Sequence, residues 1–230
     1  MAQQKQIGIP GVTTRSEAVR RFIFDSETAK VVLPAGRVLD ASNSRDPLNT
    51  GDIVTLRAGV LLGRITSSKL WAPSILGTLS VAFASGTSMT VSVATAIELV
   101  RRIGTSGTFT LVGPPAAAGT VDTKTVTFSA VNTTTGVITV VDPTVAFIIG
   151  SLIGDTDGSQ TIRGLLENEY GVRVTDTDGV DIDSGFALAI GGQVRTANVV
   201  EYPTDTSLIT FVQDALRDVG VGYAFDDDFE

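Results

Sequence analysis

The chain contains no cysteine and no histidine among its 230 residues. Without cysteine it has no disulfides, thiolate metal sites or cysteine nucleophiles. Without histidine it lacks the commonest general base and metal ligand, and it cannot form a Ser-His-Asp triad. Any catalysis would rest on carboxylates, lysine, tyrosine or arginine. We therefore expect a protein that is not an enzyme, with no catalytic residue, no metal site and no cofactor.

Charged side chains are also scarce, at 18 %, and the formal net charge is -8. Binding along nucleic acid needs a basic face, so nucleic acid is not an expected partner. No apolar run reaches the roughly 18 residues of a membrane span; the nearest, residues 137–153, contains Asp142, Pro143 and Gly150. The opening MAQQKQIGIPG lacks the apolar core of a signal peptide. We expect a chain made in the cytoplasm, with no membrane partner.

From residue 30 onward, short apolar segments alternate with turn residues, which is typical of a β-rich fold. KVVLPAGRVL predicts a turn at residues 34–36 between two apolar runs, and Asn49 to Asp52 predicts another before Ile53. Strands this short and frequent indicate a small barrel or sandwich. Trp71, the only tryptophan, stands near Pro73 and is interpreted as a packing anchor rather than an interface residue.

Residues 1–29 differ from the rest and are interpreted as an arm that orders on a partner. Up to residue 30 the chain has five cations and three carboxylates, so 5 - 3 gives a local charge of +2; these are Lys5, Arg15, Arg20, Arg21 and Lys30 against Glu17, Asp25 and Glu27. The polar tail has too little apolar surface to fold alone. The alternative is a frayed terminus.

Residues 78–149 are interpreted as an α+β insertion within the β-rich core. A strand is predicted over residues 89–93, followed by a helix capped by Thr95, with Glu98 three residues later, and ended by Gly104. TKTVTFSAV and GVITVV, joined by NTTTG, predict a hairpin with one solvated face. The segment's four phenylalanines are assigned to its core; they are Phe83, Phe109, Phe128 and Phe147.

The core resumes at residue 150 and closes with a helix. In SLITFVQDALRDVG the apolar residues fall on one helical face, and Gly220 supplies the stop. The end, GYAFDDDFE, is aromatic and acidic, and is either a solvated tail or a docking strip.

The stretch DGSQTIRGLLENEY, Asp157 to Tyr170, allows a calcium loop or a tight turn that leads into a buried strand. A helix-loop-helix calcium site needs ligands at fixed offsets and a glycine at the sixth position, and the spacing from Asp155 or Asp176 fails this test. A looser carboxylate cage at Asp176, Asp178 and Asp181 stays open. Asp-Gly pairs between apolar runs are characteristic of turns, which favours the turn over an ion site.

A carboxylate-dependent hydrolase is another alternative, built on Glu167 and Glu169. The two residues are expected at i and i+2 of one strand, where they would share a face. Nothing in the sequence pairs them with a pocket, so exposed strand carboxylates are the favoured interpretation.

Four segments carry a family resemblance: LPAGRVL, GVLLGRIT, DGSQTIRGLL and GGQVRTANVV. They resemble the lambda-type head decoration proteins of tailed bacteriophages, also called capsid cement proteins. The resemblance covers Leu33 to Trp71 and Asp155 to Val200. Family members are about half as long and have no comparable central module, while the insertion's ELVRRIGTSGTFTLVGPPAAAGT and SAVNTTTGVITV are similar to segments of other phage virion proteins.

The resemblance implies a mainly β fold with some α. A small β-barrel or β-tulip-like core with a C-terminal helix, residues 30–77 and 150–230, would be interrupted by the insertion and preceded by the extended arm. It also implies a virion protein on the outer surface of the capsid, which stabilises the shell against internal DNA pressure. The expected partners are the major capsid protein and further copies of the chain, as a homotrimer first and a dimer second.

In this family the arm adds a strand to the edge of the shell protein, which corresponds to residues 6–24 here. The implied shell contacts are Ile7, Ile9, Arg15, Arg20, Arg21, Phe22 and Phe24. Core or subunit packing is expected of Trp71, Pro73, Leu165 and Leu166. The alternative virion role is a receptor- or carbohydrate-binding head-fibre or tail module that acts through residues 78–149.

Overall fold

A computed structural model describes residues 31–114, 121–220 and 222–226. These residues form fourteen β-strands and two α-helices, so the predicted mainly β class with some α is confirmed. The strands are β1 Val31–Leu39, β2 Thr55–Leu56, β3 Leu61–Arg64, β4 Trp71–Pro73, β5 Gly77–Thr78, β6 Ser88–Thr90, β7 Gly107–Gly113, β8 Asp122–Asn132, β9 Val137–Val140, β10 Leu152–Gly154, β11 Gly164–Leu166, β12 Val172–Arg173, β13 Ser184–Val194 and β14 Tyr223–Phe225. The helices are α1 Val93–Arg102 and α2 Thr206–Val219.

Five strands close into a barrel in the order β1, β4, β3, β11 and β13, and β13 pairs again with β1. Four of the five contacts are antiparallel, whereas β1 and β4 run parallel and meet at Leu39 and Trp71. The short β14 adds to β13 in parallel. Closure leaves no free edge within the ring, and the predicted small barrel is confirmed.

The predicted turn at residues 34–36 is wrong, because β1 continues through it. Leu33 pairs with Leu188 and Arg37 with Phe186, so three residues of β1 face a single residue of β13. Extra residues in one strand form a bulge that bends the strand without reversing it. Gly36, with φ 127°, supplies the left-handed backbone that the bulge requires.

The Asp157-Gly158 pair is a turn that leads to the buried strand β11, as the favoured interpretation predicted. Thr66 donates its N–H to the Asp157 carbonyl at 2.8 Å, which lays the turn across β3. The approach is possible only because Gly63 has no side chain, since a Cβ there would stand 1.8 Å from the Ser159 carbonyl oxygen. The DGSQ segment therefore packs directly against the backbone of β3 and of the turn that follows it.

We expect Gly63→Ala to destabilise the protein by about 1–3 kcal/mol, because backbone must move to admit the methyl group. Gly51→Ala is the matched control: no atom lies within 4 Å of its Cβ position and its φ is not left-handed. The control should change stability by less than about 0.5 kcal/mol. Urea unfolding of both variants measures the difference; equal midpoints would show that the turn does not press on β3.

A second, curled sheet has the order β5, β10, β7, β8, β9 and β6, and its outer strands approach each other at a bridge between Leu79 and Val91. The predicted hairpin is present as β8 and β9, with Val126 and Phe128 buried and Thr125 and Thr127 exposed. All four phenylalanines of this part are buried in one cluster with Ala96 and Leu99 of α1. Their prediction as core residues is confirmed.

The start of α1 differs from the prediction. Ser92, not Thr95, is the N-cap, and its Oγ accepts the Thr95 N–H at 3.0 Å. The preceding strand accordingly ends at Thr90 rather than Val93. A serine side chain caps the third N–H ahead of it, and here that residue is the one predicted to be the cap. Gly104, with φ 115°, follows the end of the helix as predicted.

The predicted C-terminal helix is confirmed as α2, which ends at Val219 with Gly220 as its C-cap. Its buried Leu208, Val212 and Leu216 join Val112 and Leu152, from the curled sheet, in one apolar cluster. The two β structures therefore share core residues beneath α2. Among the described residues no helix is long and apolar enough to cross a membrane.

Candidate functional site

Trp71 lies on β4, where the barrel closes, and is half-buried. Its ring meets Phe186 edge-on, with centroids 5.8 Å apart at 70°. The guanidinium carbon of Arg37 lies 6.0 Å from the Trp71 centroid, within cation–π range. Trp71 thus packs within the chain and also presents part of its ring beside a cation.

A tight turn between β3 and β4 places two further cations beside this ring. Ile65 donates its N–H to Leu70 at 2.9 Å, and Lys69 takes a left-handed backbone with φ 65°. The Arg64 Nε donates to the Lys69 carbonyl at 3.0 Å, and the Lys69 Nζ donates to the Thr66 carbonyl at 2.5 Å. Because Arg64 pairs with Trp71 across the strands, the turn holds Arg64 and Lys69 on the same surface as Trp71.

Two adjoining cavities, of about 430 and 480 Å³, share Arg64, Lys69 and Trp71 in their walls. We name the combined surface the Trp71 trough. Its full lining is Gly36, Arg37, Val38, Arg64, Ile65, Thr66, Ser68, Lys69, Leu70, Trp71, Gly158, Thr161 and Arg163. Four of these residues are cationic and none is a carboxylate.

Most other cations of the described chain are paired with carboxylates. The pairs are Arg45 with Asp181, Arg57 with Asp46, Arg101 with Glu98, Arg102 with Asp155 and Asp157, Lys124 with Asp122, Arg173 with Asp52, and Arg217 with Asp214. By contrast, Arg64, Lys69 and Arg163 are exposed and make no ion pair with any described residue. The trough concentrates uncompensated positive charge on an acidic protein, which suits it to bind an anion.

A buried acidic group lies where α1 meets the barrel. Asp46 is fully buried and holds Arg57 through two bonds of 2.6 and 2.8 Å, while Glu98 pairs with Arg101. Glu201 takes a left-handed backbone, φ 57°, and its Oε2 is buried without a hydrogen-bond partner. It lines a cavity of about 20 Å³, the size of one water molecule.

The pKa of Glu201 is raised to about 8, first by burial and then by the charges of Asp46 and Glu98, with Arg57 opposing them. The sequence did not reveal this group. Its members come from distant segments and none has a local motif. We name Asp46, Glu98 and Glu201 the acidic junction.

The acidic run at residues 155–157 binds a cation from within the chain. Arg102 of α1 is fully buried and donates to Asp155 at 2.9 Å and to the Pro73 carbonyl at 2.9 Å. It also reaches Asp157 at 3.4 Å and Ser159. Burial raises the pKa of Asp155, and the Arg102 guanidinium opposes this shift.

The second acidic loop is organised as a turn. Asp176 Oδ1 accepts the N–H groups of Asp178 and Val180 at 2.9 and 2.8 Å, and Asp181 binds Arg45 at 2.6 Å. Within the part of the chain that the structure describes, no three carboxylates are grouped to hold a metal ion. Turns and ion pairs within the chain therefore account for both acidic runs.

The expected strand placement of Glu167 and Glu169 is wrong. β11 ends at Leu166, and Glu169 lies in the turn that follows. The two carboxylates are not at i and i+2 of a strand because the chain leaves the barrel at that point. The shared face on which the hydrolase alternative depended is absent.

The residues implied by the resemblance divide into two sets. Pro73, Leu165 and Leu166 are buried within the chain, and Trp71 is half-buried. The seven arm residues lie outside the described part of the chain. They are Ile7, Ile9, Arg15, Arg20, Arg21, Phe22 and Phe24.

Comparisons of this chain with protein-family models, with curated proteins and with solved structures found no match.

Proposed function

We propose that this chain is a virion structural protein that decorates and cements the outer surface of a tailed-phage capsid. The observation that supports it most is the origin of the barrel strands. β1, β3 and β4 come from the first resembling segment, and β11 and β13 come from the second, more than eighty residues later. Two separated pieces that resemble one family thus form one closed unit.

The barrel suits a structural role in the particle. A closed ring presents no edge for uncontrolled strand pairing, which matters for a protein displayed in many copies. Many modest contacts to neighbouring shell subunits add up to strong stabilisation against internal pressure. The proposed partner is the major capsid protein, and the proposed assembly is a homotrimer, with a dimer as the second choice.

Removing the arm tests the shell contact directly. A chain that starts at Asp25 should keep its fold, because the barrel and both helices lie beyond that residue. Its affinity for empty or expanded shells should fall at least tenfold, about 1.4 kcal/mol. Phe22 and Phe24 would no longer be buried on the shell, and the steering charge of Arg15, Arg20 and Arg21 would be lost.

Cosedimentation with purified shells measures this affinity for the full-length and shortened chains. A chain with Arg15, Arg20 and Arg21 all replaced by glutamine is the matched control, since it keeps the apolar side chains. It should lose affinity only in part, and raised salt should have a smaller effect on it than on the intact chain. Equal binding by full-length and shortened chains would remove the arm from the proposal.

The receptor- or carbohydrate-binding alternative receives no support from aromatic side chains, because all four phenylalanines of residues 78–149 are buried. The large apolar residues exposed there are aliphatic: Val81, Val93, Ile97, Val141 and Ile149. Images and stability measurements of particles with and without the protein separate the two roles. Intact, stable particles that fail only in host attachment would favour the alternative.

A further inference from the structure

We propose that the Trp71 trough binds the acidic C-terminal segment, residues 226–230, of a second copy of this chain. This inference deepens the proposed self-association and rests on the proposed function only for the place of the assembly on a shell. The trough offers three exposed cations that pair with no carboxylate of the described residues, and a partly exposed indole. The segment reads Asp-Asp-Asp-Phe-Glu, and beyond Asp226, which Thr196 holds within its own copy, it offers three carboxylate side chains and one aromatic ring.

The charged and aromatic groups of the segment match those of the trough in kind and in number. Arg64 and Arg163 carry guanidinium forks that bind carboxylates in a bidentate manner, and Lys69 adds a point charge. Trp71 lines the same trough, so Phe229 is the residue suited to pack against it. Pairing the segment with the trough would neutralise like charges at both places, on a chain whose net charge is -8.

Within one copy, the segment and Trp71 lie towards opposite ends of β13. β14 pairs with β13 at the Val194 end, while Trp71 contacts Phe186 of the same strand. Eight residues of β13 separate Phe186 from Val194, roughly 26 Å along the strand. Asp226 is held at the far end, because its Oδ1 accepts the Thr196 N–H at 2.9 Å. The four residues beyond it span at most about 14 Å.

The proposed contact joins two molecules head to tail. Each copy gives the segment that follows β14 and receives a neighbour's segment at its Trp71 trough. A heterologous contact of this kind forms a closed ring when the rotation between copies is a whole fraction of a turn. A homotrimer of this chain would close three such contacts.

The only tryptophan reports directly on the site. A chain that ends at Asp226 would be titrated with a synthetic peptide of residues 222–230 while Trp71 fluorescence is followed. We expect a saturable change that weakens as salt rises. Replacing both Arg64 and Lys69 by glutamate in the chain should weaken peptide binding at least tenfold, about 1.4 kcal/mol.

The matched controls separate charge at the trough from charge in general. Lys124→Glu changes an exposed cation of the curled sheet and should leave the titration unchanged. A peptide with lysine at positions 227 and 228 should bind the glutamate variant and not the original chain. Sedimentation of the intact chain and of the glutamate variant should show the same pattern for self-association.

Three outcomes would overturn the proposal. They are no change of Trp71 fluorescence on adding the peptide, equal peptide binding by the original chain and the glutamate variant, and unchanged self-association after the segment is removed. If the peptide fails while purified shells still alter Trp71 fluorescence, the trough belongs to the shell contact instead. If only removal of residues 1–30 alters that fluorescence, the chain's own arm occupies it. Failure of these assays leaves shell binding through the arm intact, so the two proposals fail separately.

Discussion

Replacing Arg102 by methionine should lower the free energy of unfolding by about 3–5 kcal/mol, the cost of removing one partner from a buried ion pair. The guanidinium is fully buried and binds Asp155, Asp157 and the Pro73 carbonyl. Methionine has a similar length but donates no hydrogen bond. The variant leaves two carboxylates and a carbonyl oxygen without their cation in a place that water reaches poorly.

The effect should extend across the molecule, because α1 belongs to the curled sheet whereas Pro73 belongs to the barrel. Arg102→Lys should recover little of the loss, since a single ammonium cannot reproduce the fork that reaches several acceptors at once. Lys124→Met is the control: its pair with Asp122 is exposed at 3.5 Å, and should cost less than about 1 kcal/mol.

Urea unfolding followed by Trp71 fluorescence and by circular dichroism measures both variants. An Arg102→Met chain as stable as the original would mean that Arg102 does not tie α1 to the barrel. A loss seen by circular dichroism alone would place the damage in the curled sheet. A loss seen by both probes would show that the two β structures unfold together.

Replacing Glu201 by glutamine should stabilise the protein at alkaline pH. The pKa of Glu201 is about 8 in the folded chain and about 4.5 in the unfolded chain. Between these two pH values the folded state holds a proton that the unfolded state releases. The stabilisation that protonated Glu201 contributes is therefore fully present below pH 4.5. It is lost as the pH rises from about 4.5 to about 8. At about 1.4 kcal/mol per pKa unit, the loss is on the order of 5 kcal/mol.

Glutamine keeps the shape of the protonated acid and does not ionise, so the variant should be less sensitive to pH over this window. Asp155, whose pKa is also raised, titrates in both chains and cancels in the difference. Asp178→Asn is the control, because it removes an exposed carboxylate and should leave the pH dependence nearly unchanged. Unfolding curves from pH 4 to pH 9 give the difference directly. Parallel profiles for the original chain and Glu201→Gln would show that Glu201 ionises freely.

Local patterns predicted the barrel and the helix α2 well, because apolar runs and turn residues act within a few positions. The bulge at Gly36 was misread as a turn, since Pro-Ala-Gly fits both and only the pairing of β1 with β13 distinguishes them. The cap of α1 was placed three residues late, because Ser92 and Thr95 are both good caps and their order is decided by where β6 ends.

The candidate sites were harder to predict than the strands. Arg64 and Arg163 are almost a hundred residues apart in sequence, and only the pairing of β3 with β11 brings them to one surface. The acidic junction likewise joins three separate segments. Positions 157 and 158 were an exception, because turn chemistry is local. The contact of Asp157 with Arg102 was not predictable, since the two residues are far apart in the sequence.

The antiparallel contact of β5 with β10 has a consequence for how the chain folds. Thr78 pairs with Leu152 and Gly77 with Ile153, so a curled sheet that forms first brings its two ends together. Without it, pairing β3 with β11 closes a loop that contains β4 and all of residues 74–163. Each halving of that loop lowers the entropy cost of closure by about 0.6 kcal/mol, which amounts to on the order of 1–2 kcal/mol here. The curled sheet thus favours a folding order in which the barrel closes last, after its most distant segments have become near neighbours.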